Sequence, residues 1–401
     1  MTLIYSKHED FNLQAFDVLS LAMLFGPLTY GVKAFVSNIG LTSFAEISSM
    51  VIYLLWIVLF IRFLWNNKFM LRKLIVAEFL YLLIIKLNIH FFPETGEYFE
   101  EYSMFIRQII VVYIPSLVVA FSIYDFNSGV EAFRKTGIIG ILFMVFCYFT
   151  GFIDVWDYQY YGVFLCPFVL INYTNYLKNN KLIDLIFTLI GSFFIMMGGR
   201  QSLVGIAIGA IVMYYTKIHR TLDLRKMIIS IIGLLCASIL LMLVSPFLIK
   251  LIIFICHSFG IESRNVEMLE SSEVFDTSTR DQIYEYSIDF IVRNGTSING
   301  LLADQVYFSS FASWVAYPHN IFLELMIDFG FFWGGILSIT IIYLYAKRLL
   351  FGSYEKRLFI GMFCTIVLVR LLVSSSFIIE GLFYTIIGLL LNNKDINRLT
   401  K

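Results

Sequence analysis

The sequence predicts an all-α protein that crosses a membrane many times. Three observations carry this: the composition, the length of the apolar runs, and the way charge alternates between the segments that join them. At 401 residues with 59% hydrophobic and 14% charged side chains, and a mean hydropathy of +0.81, the chain has too little polar surface for a soluble globular domain. Its apolar runs of about 17 to 25 residues each match a hydrocarbon core about 30 Å thick. Twelve spans are predicted, at 16–36, 46–65, 73–92, 104–124, 137–152, 159–176, 182–197, 202–216, 227–249, 320–345, 358–373 and 377–392.

Charge orders these spans, because Lys and Arg collect on the cytoplasmic side. Alternate connections hold Lys68, Arg72 and Lys73; Arg134 and Lys135; Lys178 and Lys181; Lys217, Arg220, Arg225 and Lys226; Lys347, Arg348, Lys356 and Arg357. With Lys7 at one terminus and Lys394, Arg398 and Lys401 at the other, both termini are expected inside. The intervening connections are nearly free of basic residues, and the loop from Phe92 to Ser103 carries Glu94, Glu97, Glu100 and Glu101. The formal net charge of zero therefore hides a transverse asymmetry, and no nucleic-acid partner is expected. A single integral membrane domain, 1–401, is predicted, with one large outer loop at 250–318 inserted between the ninth and tenth spans.

The first fifteen residues are mixed polar and lead into a span too long for a cleavable leader, so the first helix is expected to be its own targeting signal. Cys147, Cys166, Cys236, Cys256 and Cys364 all fall in or beside spans, as small core residues rather than a disulfide framework. No internal repeat suggests the duplicated halves of many transporters.

Within the outer loop, Ser278-Thr279-Arg280-Asp281 reads as a helix start. At helical spacing Gln282, Glu285, Asp289 and Arg293 form a polar stripe, with Ile283, Tyr284, Ile288, Ile291 and Arg280 on the other side. An inward arginine needs an anion, either a protein carboxylate in an ordinary loop ion pair or a ligand phosphate. Asn294-Gly295 stops the helix. The aromatic residues after it, Tyr307, Phe308, Phe311, Trp314 and Tyr317, suit an interfacial belt or stacking on sugar rings.

The loop re-enters the apolar part through Tyr317-Pro318-His319-Asn320. Amides at a helix start disfavour protonation of His319 and leave a neutral imidazole, available as a base. Asn320, Glu324 and Asp328 follow every four residues, on a face expected to look inward. Gly330, Gly334 and Gly335 are expected to admit a neighbouring helix. Arg200, in the tight outer turn Gly198-Gly199-Arg200-Gln201-Ser202, breaks the local charge rule; it either snorkels to the interface or serves a site. Lys86, Arg107 and Arg370 lie near the outer ends of their helices and could join it in an electropositive vestibule suited to a diphosphate.

With FFIMMGGRQSLVGIAIG, TSTRDQIY and PHNIFLELMIDFG in this order and on a common outer side, the chain resembles the O-antigen polymerase and ligase family of bacterial envelope glycan assembly, over about 190–392. Two departures are Asp328, where the family often has Glu, and Gln201, where a small residue commonly follows the arginine. The resemblance implies a glycosyltransferase-C-like arrangement of about twelve helices in the bacterial inner membrane, with the active site facing the periplasm. It implies joining of undecaprenyl-diphosphate-linked oligosaccharides, in contact with membrane lipids and with a chain-length-regulating membrane protein as a further partner. His319 becomes the base, Arg280 and Arg200 the diphosphate-binding groups of the catalytic set, and Arg370, Asn320, Glu324, Tyr317 and Trp314 the substrate contacts. Without a D-x-D motif or a His/Cys cluster, no metal or cofactor is expected. A polymerase and a ligase transferring glycan to lipid A core share these residues. A flippase for lipid-linked oligosaccharides is the alternative of a different class, expected to show short outer loops and basic residues at mid-membrane.

Overall fold

The computed structural model describes residues 2–219, 250, 253–254, 257–258, 280–310 and 317–394; of residues 2–9 and Arg200 it describes the backbone alone. These residues are helical and contain no strand. In chain order the main helices are α1 (Thr2–Asn38), α2 (Thr42–Asn66), α3 (Phe69–Phe91), α4 (Ser103–Ser122), α5 (Arg134–Phe149), α6 (Tyr158–Asn179), α7 (Leu182–Ile195), α8 (Arg200–Ile218), α9 (Arg280–Asn294), α10 (Ala303–Ser309), α11 (Ile321–Phe351), α12 (Tyr354–Val373) and α13 (Gly381–Leu391).

Seven of these helices are long and apolar enough to cross a membrane: α1, α2, α3, α4, the segment Gly129–Phe149 that includes α5, α8 and α11. The predicted number of twelve goes beyond this. Helices α7 and α13 are apolar but shorter, α6 and α12 are long but not among the seven, and span 227–249 lies outside the described residues.

Helix α6 is the pivot. It packs on α5, α7, α8 and α12, while α1 packs on α2, α13 on α4, and α3 on α4. Most residues of α6 and α12 are buried, and neither helix has an exposed one. Most of α2 and nearly all of α3 are open to the surroundings, which an apolar helix tolerates only against lipid.

Local chemistry shapes the spans. Pro115 has no N–H, so the carbonyl of Val111, four residues back, loses its helical donor. The helix widens into a π-turn at Ile109–Tyr113, and the indole Nε1 of Trp56 on α2 donates to the freed Val111 carbonyl at 2.9 Å. At the start of α8, Gly162 and Gly198 let two backbones touch: a Cβ on Gly198 would lie 2.4 Å from the Gly162 Cα. That contact fixes the turn preceding Arg200 against α6.

At the basic end of the bundle, cations cap helix C-termini, where the last carbonyls lack helical partners. Arg348 Nε donates to Leu390 O at 2.9 Å, Lys356 Nζ to Asn392 O at 2.9 Å, and Arg357 Nη1 to His219 O at 2.8 Å. All three side chains are buried, so much of the basic charge predicted for inner loops is folded into the protein.

The largest departure from the sequence reading is in α11. The 320–345 span is a helix broken at Gly330, whose φ of 75° and ψ of 161° belong to a region essentially reserved for glycine. The outer-loop segment 295–300 fills the break. Asn299 and Gly300 amides donate to Asp328 O at 2.9 and 3.0 Å, and the Phe331 amide donates to Gly295 O at 2.9 Å. The Asn299 side chain donates to Ile327 O at 2.7 Å. The expectation that Gly330 and Gly334 admit a neighbouring helix is thus corrected. A Cβ at Gly330 would meet Ser297 O at 2.5 Å, and one at Gly334 would meet Leu325 O at 2.3 Å, within the same broken helix. Gly335 faces open space.

Candidate functional site

The candidate site lies at the end of the bundle opposite the buried cations. Its floor is built by α9 and α10, both packed on α11. Helix α9 begins at Arg280 and ends at Asn294, where Gly295 adopts a left-handed φ of 59°; Ser278 and Thr279 lie outside the described residues. Ile283 and Ile291 are buried against Phe308 and Ile327, and Arg293 pairs with Asp289 at 2.5 Å on the exposed stripe. Ile288, expected inside, is 53% exposed; the buried strip runs through Ile283, Ser287 and Ile291 instead.

The three carboxylates of this region are fully buried. Asp328 caps the start of α10, accepting from the Leu302 and Ala303 amides at 3.3 and 3.1 Å. Glu324 accepts from the Ser376 hydroxyl and from the Phe377 amide, holding the connection between α12 and α13. Asp304, on α10, is fully buried, and burial pushes its carboxyl up against the opposing pull of the nearby Gln305 and Asp304 amides. The acidic loop docks here too: the Tyr102 hydroxyl donates to Gln305 Oε1 at 3.0 Å, and Asn88 bridges Thr95 and Leu301.

His319 precedes α11, with Asn320 as the N-cap accepting from the Phe322 and Leu323 amides. Its φ of 53° is left-handed, a strained setting for a side chain with a Cβ. Tyr317 packs edge-on against the imidazole, ring centres 4.5 Å apart, and donates its hydroxyl to Ser374 O at 3.0 Å. The imidazole Nδ1 is buried without a partner among the described residues. Burial, and then the nearby Arg280 guanidinium, push the imidazole down to about 4. Both act in the direction expected from the sequence, towards a neutral imidazole, through burial and a cation.

Arg280 thus lies close enough for its charge to act on His319. Arg370 forms an ion pair with the buried Glu380, and its charge reaches Tyr317 and Tyr160; its Nε is buried and unpartnered. Arg200 opens α8 at the same end, fixed by the Gly162–Gly198 contact; its side chain, like the whole of Trp314, lies outside the described residues. Two expected substrate contacts are otherwise engaged: Asn320 caps its own helix and Glu324 ties down the 374–380 connection. Lys86 and Arg107 are both exposed. Sequence reasoning passed over Asp304 and Glu380. The signal for Glu380 was available: a carboxylate in SSSFIIEG between two apolar helices, ten residues after Arg370.

Comparison with family models, with curated proteins and with solved structures finds no match for this chain.

Proposed function

We propose that the protein polymerises oligosaccharide units carried on undecaprenyl diphosphate. The observation that supports this reading best is the half-buried His319, its imidazole held towards the neutral form with the Arg280 charge nearby and its Nδ1 without a partner among the described residues, at the end of the bundle where α8 begins at Arg200. In the proposed reaction an acceptor sugar hydroxyl gives its proton to His319 as its oxygen bonds the anomeric carbon of the donor. The bond from that carbon to the diphosphate breaks, and the departing oxygen keeps the electron pair. Arg280 and Arg200 offset the charge that grows on the diphosphate, the step at which positioned cations lower a barrier most. On this reading the site faces the periplasm and both termini are cytoplasmic.

The test is synthesis from purified components. Lipid-linked repeat units with the protein alone should give a ladder of longer glycans. His319→Gln should bind the lipid-linked donor normally and transfer it about 10² to 10⁴ times more slowly, the scale of general-base loss. Product formed only when lipid A core is added would identify a ligase instead. Transbilayer movement of donor without any new glycosidic bond would identify a flippase.

A further inference from the structure

At the opposite end of the bundle from the candidate site, two cavities adjoin at Asn66, where α2 turns into α3. One, of about 490 Å³, opens between α1 and α2 and is lined by Gln14, Arg62 and Asn66 with an aromatic wall that includes Trp56 and Phe60. The other, of about 500 Å³, is lined by Trp65, Asn66 and Lys68.

Arg62 has neither an ion pair nor a hydrogen bond among the described residues, and it sits four residues before the end of α2. That is about 6 Å along the axis, the depth at which headgroups give way to acyl chains. Lys68 lies 5.5 Å above the Trp65 ring; Trp65 is 74% exposed, the placement of an aromatic anchor at a membrane surface. Asp17 is the one carboxylate among the residues lining either cavity. Two cations at headgroup depth, flanked by amides and backed by an aromatic wall open to the side, match an anion that carries apolar chains.

We infer that this paired cavity is a binding site for an anionic phospholipid, with the phosphate between Arg62 and Lys68 and an acyl chain along Trp56 and Phe60. The amides of Gln14 and Asn66 suit the headgroup oxygens; Asn67 keeps Gln14 in place through a 2.9 Å hydrogen bond from its side chain. The cluster of Lys68, Arg72 and Lys73 around the same turn places the site in the leaflet that holds anionic lipid, if basic connections face the cytoplasm.

Native mass spectrometry of the full chain in detergent, with equal amounts of phosphatidylglycerol and phosphatidylcholine of matched chains, tests this. Phosphatidylglycerol should be retained preferentially. Arg62→Gln should reduce that preference about fivefold, the contribution of one basic side chain near an anionic surface, and Arg62→Gln with Lys68→Gln should bring the two lipids to parity. Arg62→Lys should keep most of the preference, separating lost charge from lost folding. Lys181→Gln, on another connection at the same end, should leave it unchanged. Undiminished preference in the double variant, an equal loss in Lys181→Gln, or displacement of the lipid by an equal concentration of inorganic phosphate would overturn the inference.

Discussion

Gly330→Ala isolates the break in α11. With φ at 75° and ψ at 161°, an alanine there costs about 1–3 kcal/mol in backbone strain alone. Its Cβ would also stand 2.5 Å from Ser297 O and 2.8 Å from the Thr296 carbonyl carbon. These are backbone atoms that cannot rotate away, and such overpacking adds about 1–3 kcal/mol. Straightening the helix offers no escape, because it would strip the Asn299, Gly300 and Phe331 amides of their acceptors. The expected total is about 2–6 kcal/mol, a large part of the roughly 5–15 kcal/mol that holds a typical protein together. Gly335→Ala is the control, since a Cβ there meets nothing and alanine favours a helix by about 1 kcal/mol over glycine. Thermal melting in detergent should rank Gly335→Ala at or above the native protein and Gly330→Ala well below it. Hydrogen exchange in Gly330→Ala should rise at residues 295–300 and 328–331 first. Equal melting of the two variants, or faster exchange spread evenly over the bundle, would refute the reasoning.

Asp328→Ala should cost about 2–6 kcal/mol by leaving the two amides at the start of α10 without their acceptor, and Asp328→Asn, which keeps one acceptor oxygen, clearly less; proteolysis of the 295–310 segment would report the difference. Because the His319 imidazole is held down near 4 rather than 6.5, the base form persists on acidification: transfer activity should stay level from neutral pH to about 5 and fall only towards 4, where a rate profile with a limb near 6.5 would count against the assignment. Arg280→Gln should move that acid limb to higher pH and slow transfer, whereas Arg280→Lys should hold the limb in place and keep part of the rate. Arg370→Gln should destabilise the fold by about 3–5 kcal/mol because it strands the buried Glu380; an unaltered melting temperature would show the pair to be dispensable.

The sequence made the helical class legible, because apolar runs and alternating Lys/Arg are one-dimensional signals. The end of α9 at Asn294-Gly295 was equally readable, as a glycine in the left-handed region is a local event. The break in α11 was not. Its flanking residues, Ile327, Phe329, Phe331 and Phe332, have the composition of an uninterrupted span, and what makes the interruption tolerable is a set of hydrogen bonds from residues 295–300. Similarly, Glu324 and Asp328 announce themselves as buried charges, but whether each meets a ligand or a loop amide depends on partners some 25 to 50 residues distant in the chain. Arg280 beside His319 could be expected only from their common side, since the 38 intervening positions fix no distance between them.

The buried cations at the basic end carry a second meaning. Arg348, Lys356 and Arg357 are among the charges that the sequence reading expects to orient the spans as the chain enters a bilayer, a decision taken while they are still hydrated. In the finished molecule the same groups have left water and hold the ends of α8, α11 and α13 together. A topogenic signal is thereby converted into a tether, so neutralising one of these residues strikes twice: once at insertion, where orientation is chosen, and again at closure, where the ends of three helices would lose a shared clasp. A survey of charge on the folded surface would miss both events.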